Sequence, residues 1–275
     1  MQKKKWSGSN RRLNGLKSSR SLFILSLLPL LISCSSSLPR TVSPQKVSSQ
    51  EQIQEVFRNW EGQRSRLKSL KMEVRFRAGG GLFRSGGEKF LFLARPASFR
   101  IEALNDFGLP ASQVASNGIR ATFYWPQENR YLQATAEKGL FERTLSIPLD
   151  PEKMVPLLMG LLPVEEAESF IVKTREKGKT LFLKGDESEI WVDAESLRPK
   201  KFRNLDTQGH KVYEVEFLEW TSVDEISAPQ KVTLRFWRPR QTVTLEFEAI
   251  GINPSLPPKT FELIPPKDAE QIQDF

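Results

Sequence analysis

The sequence predicts a mainly β, α+β body: one large curved antiparallel sheet of about 11 strands with helices covering its concave side. Three observations carry this. Apolar and polar residues alternate with period two in segment after segment, the turn signals between segments are closely spaced, and only two stretches show helical periodicity.

The alternation is plain in four places. Met72, Val74 and Phe76 are interleaved with Glu73, Arg75 and Arg77, and Phe99, Ile101 and Ala103 with Arg100 and Glu102. Tyr213, Val215 and Phe217 are interleaved with Glu214 and Glu216, and Val243, Leu245 and Phe247 with Thr244 and Glu246. Each strand so written has one dry and one wet face. Asn117-Gly118, the Pro126–Asn129 stretch and Lys177-Gly178-Lys179 punctuate the strands. Connections that short make antiparallel meanders rather than crossovers.

From Glu51 to about Leu70 the apolar residues Ile53, Val56, Phe57, Trp60, Leu67 and Leu70 fall on one helical stripe, which should pack on the sheet. Residues 136–162 also read as helical. Asp150 is a candidate N-cap, Pro151 follows at the first helical position, and Pro156 should kink the segment. Met154, Val155, Leu157, Leu158, Leu161 and Leu162 make it apolar nearly all round. Two readings stand: a lid over a cavity on the open side of the sheet, or a core helix with nothing beneath it.

The N-terminus is of another kind. Seven Lys and Arg residues and no acid occupy positions 1–33, and an apolar run of 11 residues, Leu22–Ile32, closes that segment. The run is too short to span ~30 Å of hydrocarbon as a helix and reads as the core of a signal peptide. Leu31-Ile32-Ser33-Cys34 resembles the lipobox of bacterial lipoproteins, which implies cleavage before Cys34 and lipid attachment to it. Arg11-Arg12 suggests a twin-arginine export signal, but the residues next to it match one poorly. Ser35, rather than Asp, fits sorting to the outer membrane, with the body lipid-anchored and facing the periplasm. Residues 34–50, rich in Ser and Pro, read as a tether, and 51–275 as a single domain.

The formal charge of +8 suggests nucleic acid until the seven N-terminal cations are set aside, leaving 34 basic against 33 acidic residues. A nearly neutral body has no electrostatic claim on phosphate backbones. An outer-membrane barrel is disfavoured because one strand face carries Arg, Lys and Glu where lipid would lie. Cys34 is the only cysteine and His210 the only histidine, so the mature body holds no disulfide, no His-dependent triad and no multi-histidine metal site. Gly79-Gly80-Gly81 and Gly86-Gly87 read as a hairpin tip and lack the lysine of a phosphate loop. The pairs Glu165-Glu166 and Asp186-Glu187 read as solvated charge. No enzyme, cofactor or metal is expected, and a monomer is.

The order of elements resembles the LolA/LolB superfamily of lipoprotein carriers over most of residues 51–265. Phe99–Pro110 looks like a strand and protruding loop of that family, Ile119–Tyr131 like the hairpin after it, and Ile147–Pro163 like the helix that closes its cavity; Phe261–Pro266 is similar to the carriers' closing segment. The resemblance implies a half-open barrel that holds the acyl chains of lipoprotein cargo, delivered by a periplasmic carrier and inserted into the membrane with the help of an apolar loop. It implies the insertion role for Phe107, which stands where the family has leucine, with Leu109 beside it. The reading of the residues agrees, since apolar side chains in a turn suit contact with a membrane or partner. A dry cavity is expected from Phe76, Phe92, Ile101, Phe123, Leu158 and Phe217. The physical need is large: at ~0.8 kcal/mol per methylene, one sixteen-carbon chain costs about 12 kcal/mol in water. The alternative is an envelope scaffold or partner-binding lipoprotein with the same sheet and a self-filled interior.

Overall fold

The computed structural model describes residues 49–78, 88–164, 166, 167, 169–175 and 179–273, all within the compact unit Lys46–Phe275. The signal segment, Cys34, most of the tether, the glycine hairpin tip and Lys177-Gly178 lie outside these residues.

Helix α1 (Ser49–Arg66) opens the described chain. Six strands come after it as one meander: β1 (Ser69–Ala78), β2 (Lys89–Ala94), β3 (Ser98–Leu104), β4 (Pro110–Ser116), β5 (Arg120–Trp125) and β6 (Arg130–Thr135). Helices α2 (Lys138–Leu145) and α3 (Pro151–Leu158) come next. A second meander runs through β7 (Ile171–Arg175), β8 (Thr180–Lys184), β9 (Ser188–Asp193), β10 (Pro199–Leu205), β11 (Lys211–Val223), β12 (Ile226–Trp237) and β13 (Arg240–Ile252), and β14 (Glu270–Ile272) returns to pair with β6. Among the described residues the strands form one 14-stranded sheet in the order β14-β6-β5-β4-β3-β2-β1-β13-β12-β11-β10-β9-β8-β7. All neighbours are antiparallel except β14 on β6. The fold class is the one predicted; the strand number exceeds about 11 because three-residue β14 and short β7 carry too few positions for a visible period.

This order has a topological consequence. The meanders are joined side by side through β1 and β13, which puts β6 near one edge and β7 at the other. The chain between them, residues 136–170, must therefore travel from one side of the sheet to the other. Because Leu140, Phe141, Leu145, Met154, Val155, Leu157 and Leu158 are all buried in the common core, it does so across the inner face.

Register assigns the faces. On the inner face Leu91, Ile101, Val114, Phe123 and Leu132 lie opposite one another across β2 to β6, and Phe76, Leu245, Val232 and Phe217 across β1, β13, β12 and β11. On the outer face Glu189, Arg203, Glu214 and Arg235 form a row of alternating charge across β9 to β12.

Three boundaries differ from expectation. Helix α1 stops at Arg66, and Leu67 to Leu70, which continue its apolar stripe, turn into β1. Asn253 fixes that exit, its Oδ1 accepting from the backbone N–H of Lys68 and Ser69 at 2.7 and 3.2 Å while its Nδ2 donates to the Arg66 carbonyl. The 136–162 segment is two helices, broken at Ser146 (φ 59°). Asp150 does sit at the N-cap of α3, but its carboxylate accepts from the backbone N–H of Lys138 at 2.9 Å and so caps α2. Pro156 falls in the last turn of α3 and the helix ends at Leu158 instead of kinking.

Candidate lipid-binding face

The inner face and the two helices laid into it form an apolar layer with little space. Phe99, Phe123, Phe141, Val155, Leu157 and Met159 have no solvent exposure. Phe99 from β3 meets Phe141 from α2 edge to face, with centroids 5.3 Å apart. The helical segment also has polar ties to its surroundings: Gln241 Nε2 on β13 donates to the Ser146 carbonyl, and Arg64 Nη2 on α1 donates to the carbonyls of Leu162 and Val164 at 2.6 and 3.1 Å.

The predicted cavity residues separate. Phe123, Leu158 and Phe217 are buried on the inner side, and Phe76 and Ile101 lie on the same face, half-buried. Phe92 does not belong with them. It pairs with Lys71 and Arg100 on the outer face, where the Lys71 ammonium stands 5.6 Å from its ring centre. The reason is the run Phe90-Leu91-Phe92-Leu93, apolar at every position, in which period two gives no phase; Leu91 and Leu93 take the inner side. Cavities open among the described residues beside α1, before β7, along β9–β11 and at the β12–β13 hairpin, and of the remaining five side chains these touch Phe217 alone. In this conformation the inner face is occupied by the protein's own helices.

The predicted loop between β3 and β4 is built around Asn105. Its Oδ1 accepts from the backbone N–H of Phe107 and of Leu109, both at 3.0 Å, and Gly108 takes φ 74° to close the turn. The two apolar side chains are thereby turned outward, Phe107 87% and Leu109 60% exposed. Near this loop, in register with Ala103 on β3, lies Lys89, an inner-face residue that sequence reasoning did not single out. Burial lowers its pKa, and the nearby Asp106 carboxylate opposes that shift. A lysine at the start of an apolar strand, Lys89-Phe90-Leu91-Phe92-Leu93, was the available signal.

The outer face is charged and closely paired. Glu214, whose side chain is 3% exposed, receives Arg203 at 2.7 Å and Arg235 at 2.9 Å, and Arg203 also reaches Glu189 at 2.7 Å. A face so written has no place in hydrocarbon. Among the described residues no helix is long and apolar enough to cross a membrane, and no group of three metal-ligating side chains occurs.

No family model and no curated protein matches the chain. Among solved structures, a DUF1329 family protein from Desulfovibrio piger superposes with a TM-score of 0.51 at 13% identity, over 78% of this chain and 98% of that one. An outer membrane lipoprotein-sorting protein domain from Vibrio parahaemolyticus gives 0.46 at 12% identity (76% and 97% covered), and a LolA superfamily protein from Nitrosomonas europaea 0.46 at 10% (77% and 97%). The latter two are similar at a level that carries no argument, and the first likeness is one of fold alone: a large, open, curved antiparallel sheet with helices laid into it.

Proposed function

We propose that the chain is a lipid-anchored envelope protein of the outer membrane that binds the acyl chains of lipoproteins on the inner face of its sheet, in place of α2 and α3, and helps insert them into that membrane through Phe107. One observation carries the reading: beside α1, the inner face is covered by a contiguous segment, residues 136–164, that is not itself part of the sheet. Moving it leaves every strand pairing intact.

The magnitudes favour an exchange. Leu140, Phe141 and Leu145 of α2 and Met154, Val155, Leu157 and Leu158 of α3 are buried, and at 1.5–3 kcal/mol for a full-sized apolar side chain they hold the two helices down by about 10–20 kcal/mol. That is the order of what one or two sixteen-carbon chains gain by leaving water. Near balance between the two makes binding reversible, as a carrier needs. The Asn105 turn supplies an exposed apolar tip for membrane contact.

The filled interior favours a second reading, a scaffold or partner-binding lipoprotein whose helices never leave. The two are separated by expressing Lys46–Phe275 in the periplasm, purifying it without detergent and extracting it for mass spectrometry. Acyl lipid or captured lipoprotein at near one per chain is expected; a lipid-free protein that also takes up no fatty acid when challenged supports the scaffold.

A further inference from the structure

We infer that the chain carries a second, peripheral binding site for a small amphiphile with one anionic head, in a cavity of about 400 Å³ between the C-terminal half of α1, the segment after α3, the β9–β10 turn and the β11–β12 hairpin. The volume lies within the range of small-ligand sites. Trp60, Leu161, Leu162 and Trp220 give it apolar walls.

Its acidic-head partner is Arg198. The guanidinium lies over the Trp220 ring, 5.8 Å from its centre, and Nη2 donates to Ser222 Oγ at 2.8 Å. Among the described residues no carboxylate pairs with it. The neighbouring cations differ: Arg66 is paired with Glu225, Lys200 with Asp193, Lys201 with Glu216, and Arg64 is engaged by the Leu162 and Val164 carbonyls. A half-buried guanidinium with one hydroxyl partner keeps a planar fork of donors for a phosphate or carboxylate. It also stands where this cavity meets a second one of about 670 Å³, for Ser196, Arg198 and Trp220 line both.

The surroundings hold Arg198 in position. The β9–β10 turn is organised by Asp193, which accepts from the backbone N–H of Ser196 at 2.9 Å and pairs with Lys200 at 3.0 Å. The Ser196 backbone bond is the main cause that holds the Asp193 carboxyl down to about 2. Trp60 Nε1 donates to the Leu197 carbonyl at 2.8 Å, tying the same turn to α1. Gly160, at φ +79°, lets the segment after α3 approach Trp220: a Cβ there would come within 2.6 Å of the ring. The site is thus assembled from four separate parts of the chain, one of which, Gly160–Leu162, belongs to the segment laid over the inner face.

The test is a calorimetric titration of the full chain in maltoside micelles with hexyl phosphate, inorganic phosphate and hexanol. Saturable binding of hexyl phosphate at one per chain is expected, at least tenfold tighter than either fragment, weakened at least tenfold by Arg198→Gln and partly restored by Arg198→Lys. Arg198→Gln in the same micelles also cancels partition into detergent. The proposal is overturned if hexyl phosphate binds Arg198→Gln as well as the parent, if it does not saturate, or if inorganic phosphate or hexanol matches it.

Discussion

The two faces of the sheet are held by different physics. The inner face is apolar and covered by α1 and the connector that carries α2 and α3, so its cohesion is hydrophobic and non-directional. The outer face is held by directional pairs such as Arg203 and Arg235 on Glu214, which fit no other partner. On the proposed function, the inner face is the replaceable surface, and the outer face is the frame that stays assembled during the exchange.

The contrast can be broken first from inside. Phe123 is fully buried opposite Val114 and Leu132, and Phe123→Ala should cost about 3–5 kcal/mol in a denaturant titration. Glu214→Gln on the outer face leaves Arg203 and Arg235 facing a neutral amide; a loss of about 2 kcal/mol is expected, with lipid uptake unchanged. Loss of uptake without loss of stability would place function on the wrong face.

At the tip the expected stability effect is smallest and the functional one is sharp. Phe107 touches solvent almost entirely, so Phe107→Glu should shift stability by less than ~0.5 kcal/mol. Cargo capture should persist while release into liposomes is lost. Unchanged release would remove the loop from the mechanism.

Much of this frame is readable from the chain alone, because period two survives wherever one face is wet: Met72 to Arg77 and Tyr213 to Phe217 show it. Where both faces are apolar, as in Phe90 to Leu93, the phase disappears and Phe92 falls on the wrong side. The break at Ser146 is hidden because the residues after it, Ile147 to Leu149, are as apolar and buried as the helices they separate. The use of Asp150 to cap α2 depends on a fold-back that no local pattern encodes. The Phe107 turn is placed by the resemblance of Phe99–Pro110, while the part Asn105 and Gly108 play in shaping it emerges from the structure. The Arg198 cavity was not, since Trp60, Gly160, Arg198 and Trp220 meet only through tertiary structure.

The central claim is that acyl chains occupy the place of α2 and α3. Gln241 on β13 touches the chain at Ser146, between the two helices. Ser146→Cys with Gln241→Cys, in the Lys46–Phe275 form that contains no other cysteine, can be joined by a short reducible linker and assayed for uptake of a fluorescent fatty acid. Uptake should be lost in the linked protein and restored by reduction; uptake by the linked protein equal to that of the reduced one would contradict the account.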